Sequence, residues 1–200
     1  MFKRKSSRAK RNLKKFKSAK FNYARFVKDY YIENGNAYIS AKVKSIDDII
    51  SKYSLEDYEW INSEFAEYLT NSSYYIPVEE SVIIEICGCK FTEEEREKIT
   101  RVIKAYFGLK LGDKIIDLDI NFRKANRLLI LGVLSLGLVF FISKLTNLEY
   151  IIELPLIMLW FFIWEYGDLA WLDRWDIYIE KLEAGQLANA KIIFNENEGI

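Results

Sequence analysis

The hydrophobic pattern changes period several times along the chain, and each change predicts a different element. In "AYISAKVK", residues 37–44, apolar and polar positions alternate, which predicts a strand buried on one face. "SLEDYEWINSEFAEYL", residues 54–69, instead repeats Leu55, Tyr58, Ile61, Phe65 and Leu69 at helical spacing, with Ser54 placed as the N-cap. After Pro77, "SVIIEIC" reads as a second strand. "FTEEEREKITRVIKAYFG" opens with a capping box, Thr92 with Glu95, and continues with the stripe Ile99, Val102, Ile103 and Tyr106. Gly108 is expected to stop that helix, and "DKIIDLDIN" alternates again, which predicts a closing strand. Together these elements predict a small mixed α/β domain over 37–121.

Beyond it the pattern loses its polar face. Leu128–Ser143, "LLILGVLSLGLVFFIS", holds no charge and is bounded by Arg127 and Lys144. Sixteen residues fall just short of the ~17–25 of a usual span, but the flanking basic side chains can snorkel to the interfaces. "YIIELPLIMLWFFIW" follows a short connection and has an uncharged core of eleven residues, Leu154–Trp164. The expectation is a two-helix transmembrane hairpin over 128–164, with spans of about 126–144 and 150–166. A soluble helical hairpin is the competing reading. A long C-terminal helix, 165–190, continues from the second span. The tail, 191–200, holds one apolar patch, Ile192–Phe194, that could end as a short strand. The fold class expected is therefore α+β: a small cytoplasmic domain, the hairpin, then that helix.

The second apolar segment passes into "EYGDLAWLDRWDIYIEKLEAG" without a break. At about 100° per residue, Trp160, Trp164, Trp171, Trp175, Tyr178 and Leu182 share one side of a helix, and Glu165, Asp173, Asp176 and Glu180 share the other. One unbroken helical phase from the span to Gly185 is expected, its aromatic seam packing on a protein partner, on a second copy, or on the chain's own domain. Asp168 at the edge of the seam calls for a cationic neighbour, Arg174 or a base at 123–127. Glu153 marks the other interface, as Lys144 and Arg127 do.

Charge then fixes the orientation. Residues 1–28 hold twelve Lys/Arg and no acid, so the formal net charge of zero is a basic arm cancelled by an acidic remainder. In the arm, 1–30, the residues Lys3, Arg4, Lys5, Arg8, Lys10, Arg11, Lys14, Lys15, Lys17 and Lys20 are expected to face anionic lipid, at roughly 1 kcal/mol for each well-placed cation. Nucleic acid is the less favoured partner, because an apolar segment follows in the same chain. With Arg123, Lys124 and Arg127 before the first span, the positive-inside rule predicts both termini in the cytoplasm of a cell membrane. Usage rich in Lys, Ile, Tyr and Asn points to a bacterial one.

The chain has no histidine, which removes the usual neutral-pH general base and the commonest metal ligand. Cys87 and Cys89 are spaced for reduced thiols rather than a disulfide. No glycine pattern cradles a phosphate, and Asp117 with Asp119 reads as the exposed side of a strand rather than a metal site. No catalytic residue, metal or cofactor is expected. The function class is a non-enzymatic two-pass membrane protein, an anchoring, assembly or sensing subunit. The alternative is an oligomerising, membrane-perturbing effector triggered through its cytoplasmic domain.

Overall fold

The computed structural model describes residues 32–33, 36–74, 76–78, 80–145 and 149–195. The basic arm and the connection at 146–148 lie outside them. In chain order the elements are β1 (Ile32–Glu33), β2 (Asn36–Lys42), α1 (Ser63–Ser73), β3 (Ser81–Cys87), α2 (Glu93–Leu145), α3 (Glu149–Gly167), a π-helical segment (Asp168–Asp173), α4 (Arg174–Ala188) and β4 (Lys191–Asn195).

The strands form one sheet in the order β1-β2-β3-β4. β1 is antiparallel to β2, whereas β2, β3 and β4 are mutually parallel, Asn36 opposite Ser81 and Ile83 opposite Lys191. Alternation sends Ala37, Ile39, Ala41, Val82, Ile84 and Ile86 to one face. There they meet Phe65 and Leu69 of α1, Ile99, Ile103 and Phe107 of α2, and Leu187 of α4 in a single core. On the other face Glu85 accepts hydrogen bonds from the Ser40 hydroxyl (2.6 Å) and the Asn195 amide (3.1 Å), which links β3 to both neighbours. Gln186 donates to the carbonyls of Pro77 and Glu80 at 2.9 Å each and so ties the end of α4 to the turn before β3.

Two parallel neighbours, β3 and β4, are separated in sequence by residues 88–190. The described residues divide into two compact units. One runs up to Leu111 and resumes at Leu182, and the other is Gly112–Lys181.

Several expectations need correction. An α+β domain followed by a separate two-helix transmembrane hairpin is not what forms. The first expected span is the last third of α2, a single helix of 53 residues that begins at Glu93 in the sheet unit. Among the described residues α2 alone is long and apolar enough to cross a membrane. The second expected span lies in a 19-residue helix whose acids and Pro155 interrupt its apolar run. The closing strand at 113–121 is also helix. Gly108 adopts no left-handed conformation and a Cβ there would touch nothing, so it stops nothing. With no breaker, an established helix propagates at little cost, and "IIDLDI" satisfies the helical period as well as the alternating one. The sheet gains its third parallel strand from the tail instead.

The helix expected from Ser54 starts later, at Ser63, capped by the Asn62 side chain, which accepts the Glu64 N–H at 3.0 Å. Ser54 is occupied otherwise: its hydroxyl accepts the Trp60 N–H at 2.8 Å and closes a loop. Asp57, at φ 70°, lies in the left-handed region and breaks any helix there. The box at Thr92 does form. Its N–H donates to Glu95 (2.8 Å) and its hydroxyl accepts the Glu95 N–H (3.2 Å).

Candidate functional site

The feature with most potential for function is the surface of the Gly112–Lys181 unit. Its elements follow from one spacing. Along α2 the less exposed positions are Lys114, Leu118, Asn121, Ala125, Leu128, Gly132, Ser135, Val139 and Ile142, at alternating intervals of four and three. That is the seam of a helix that packs on a neighbour with period 3.5. The neighbour is the returning chain, antiparallel. Lys114 reaches Glu180 at 2.8 Å, the Arg174 guanidinium lies 5.7 Å from the Phe122 ring centre, and a Cβ on Gly132 would sit 3.7 Å from that of Phe162. Small residues at Ala125, Gly132 and Ser135 are what allow this approach.

On the return, Pro155 and Phe162 face inward seven residues apart. Residues 165–170 are all half-buried, and the π segment Asp168–Asp173 interrupts the α winding there. This corrects the single α-helical phase expected over 159–185: residues past the π turn stand about 100° back from where continuous α winding puts them.

Most large apolar side chains outside the seam are open. On α2, Ile130, Val133, Leu134, Phe140 and Phe141 are exposed, as are Leu154, Ile157, Phe161 and Ile163 on α3. Only 11% of the most apolar stretch of α2 is buried. An apolar surface of this extent, running round the helix, is far more than a water-facing protein exposes. Bases ring one end, with Arg123, Lys124 and Arg127 exposed before Leu128, and Lys144 is exposed at the other.

The residues singled out from sequence fall as follows. Trp160, Trp164, Trp171 and Trp175 are all exposed, Trp164 at 76%, and Tyr178 is at the border of exposure. None of them supplies the packing on α2. Leu182 is half-buried and belongs to the sheet unit. Glu153 is exposed. Asp168 is half-buried and, among the described residues, makes no ion pair. Arg174 lies over Phe122 instead. Asp117 and Asp119 sit two apart on a helix, hence on different sides, and each pairs with a base: Lys114 at 3.2 Å and Arg123 at 2.9 Å. Cys87 is buried, Cys89 half-buried, and neither is in a disulfide.

Sequence reasoning missed two features. Asn121, 5% exposed in the seam, places a polar side chain among the packed positions, and among the described residues its carbonyl oxygen has no hydrogen-bond partner. In the sheet unit, the loop 51–61 is fastened through Glu59, whose carboxylate receives Lys98 at 2.8 Å and Arg101 at 3.1 Å. The hydrogen bond from Lys98 holds the Glu59 pKa down at about 2 and raises that of Lys98 in turn. Lys114 is raised likewise, chiefly by its bond to Glu180. An open groove of about 450 Å3 beside the C-terminal end of β2 is lined by Lys42, Lys44, Asp48 and Tyr68. Its polar groups already serve the fold: Asp48 accepts the Lys44 N–H at 2.7 Å, and the Tyr68 hydroxyl donates to the Ser40 carbonyl.

No protein-family model matches the chain, and no curated protein or solved structure is significantly similar to it.

Proposed function

We propose that this protein is a non-enzymatic, membrane-anchored subunit that holds a small sheet unit at the cytoplasmic face of a bacterial cell membrane, for anchoring, assembly or sensing in a larger complex. The observation that carries the reading is the open apolar surface around Leu128–Ser143 and on the returning α3. In water each exposed leucine or phenylalanine forgoes about 1.5–3 kcal/mol of burial, and in lipid it does not. The bases at 123–127 support a cytoplasmic sheet unit. The basic arm adds affinity for anionic lipid. The titratable groups that stand out, Glu59 with Lys98 and Lys114 with Glu180, are accounted for as ion pairs joining elements.

Extraction of expressing-cell membranes with alkaline carbonate tests the reading. The protein is expected to stay in the pellet, and a reporter fused after residue 200 is expected to be cytosolic. Release by carbonate or high salt would refute membrane anchorage, and an exported reporter would refute the orientation.

The four exposed tryptophans favour a second reading, an oligomerising membrane-perturbing effector. It predicts depolarisation and arrested growth on strong expression, both relieved by Trp164→Ala/Trp171→Ala. Normal growth with an intact potential would rule it out.

A further inference from the structure

The two outward faces of the Gly112–Lys181 unit carry opposite charge at the same level. Arg123 and Arg127 lie two residues either side of the buried Ala125, so each stands about 160° around α2 from its packing side. On the return, Asp173 is exposed, as are Trp164, Trp171 and Trp175, and the half-buried Asp168 lies in sequence between Trp164 and Trp171. The register fixed by Lys114–Glu180, Phe122–Arg174 and Gly132–Phe162 sets Arg127 level with Asp168 and Arg123 level with Asp173. Arg127 is the first charge before the apolar segment of α2, and Asp168 follows Glu165 past Trp164 on the return.

Among the described residues Arg127, Asp168 and Asp173 make no ion pair. Arg123 has only Asp119, one turn back on its own helix, and both side chains are about 60% exposed. Such a surface pair is easily exchanged. Anionic lipid explains the bases but not the acids beside them.

We propose that the chain self-associates laterally in the membrane, head to tail. The Arg123/Arg127 face of one copy meets the Trp164/Asp168/Trp171/Asp173 face of the next. Guanidinium groups there find carboxylates, and indole faces they can stack on, next to lipid, where such contacts outweigh their value in water. Two different faces meet, so the contact is heterologous and builds rings or rows rather than stopping at a two-fold dimer. The inference rests on the membrane reading above.

The test is the oligomer distribution of the full chain in detergent and, by cross-linking, in vesicles of zwitterionic lipid. The wild type is expected to form assemblies larger than dimers. R123E/R127E and D168R/D173R are each expected to weaken assembly by at least about tenfold. Mixed one to one, the two variants are complementary at both faces and are expected to regain, in alternation, the larger assemblies that neither forms alone. The variant carrying all four reversals is expected to regain the larger assemblies.

Should reversal prevent folding, R127Q and D168N serve in its place, each raising the dissociation constant several-fold. A monomeric wild type, or reversal variants that assemble like it, would overturn the inference. So would base reversal that lowers only binding to anionic vesicles, with no assembly on mixing, which would assign the bases to lipid headgroups. If the wild type is carbonate-resistant but monomeric, the inference alone fails. If it is not membrane-bound, the reading beneath it fails.

Discussion

Replacing Leu134 by arginine places a charge near the middle of the uncharged Leu128–Ser143 stretch, at a side chain that is 59% exposed. The lipid reading and a water-soluble reading predict opposite results. Nine large apolar side chains between Leu129 and Phe141 are open on α2. At about 0.3–0.6 kcal/mol each they contribute about 3–5 kcal/mol to insertion. One arginine at the centre costs about 2.5–3.5 kcal/mol and removes a leucine as well, so it cancels most of what α2 supplies. The integral fraction is expected to fall over a hundredfold relative to the free form, and Leu134→Arg/Leu138→Arg is expected to leave almost none.

The assay is the distribution between carbonate-resistant pellet and supernatant, with expression matched by blotting. Tyr53→Arg, at an open position of the sheet unit, is the control and should not move it. If the surface faces water, an added charge changes stability within about 0.5 kcal/mol and only improves solubility. A Leu134→Arg protein that partitions like the wild type would refute the lipid-facing reading.

Two further outcomes concern the sheet unit. Glu59 has its pKa lowered to about 2 from 4.5, so its hold on the loop 51–61 is complete above about pH 4.5 and is lost as pH falls through about 2. The raised pKa of Lys98 adds the mirror limit: its contribution is present below about 10.5 and lost as pH rises past its folded value. Amide exchange across 51–61 should therefore be flat between these limits and quicken outside them, whereas Glu59→Gln should be fast throughout. Gly88 has φ 100°, and a Cβ there would lie 2.9 Å from the Val43 carbonyl oxygen. Gly88→Ala is expected to cost more than about 1 kcal/mol, seen as a lower thermal midpoint, while Gly108→Ala, with open space around it, should not destabilise.

Much of the local structure was legible because the deciding contacts are local. β2 and β3 follow from alternation, the start of α2 from Thr92 and Glu95, and its apolar end from sixteen uncharged residues. The misreadings arose where a local signal had a second solution. Ser54 can cap a helix or accept the Trp60 N–H, and a loop that also anchors Glu59 on Lys98 and Arg101 makes the second better. Gly108 stops a helix only if it turns left-handed, and nothing after it competes for the chain. "IIDLDI" fits two periods, and only the helix already running into it decides. β4 could not be placed from Ile192–Phe194 because its partner, β3, lies about a hundred residues earlier. The π turn was invisible for a related reason. Nothing in Asp168–Asp173 itself forces a departure from α winding. The exposed faces were legible as composition, but their level relative to one another needed the antiparallel register.

The position of β4 has a consequence for how the molecule is made. Its hydrogen-bonding partner is synthesised before residues 88–190 and β4 itself after them, so the sheet stays one strand short until that whole stretch has been made. Only a chain whose residues 88–190 have folded can lay Lys191–Asn195 beside Ile83–Cys87. A copy in which that stretch is incompletely folded keeps an open β3 edge and an uncovered core. Such copies offer a quality-control protease an extended, unpaired strand that finished molecules do not show.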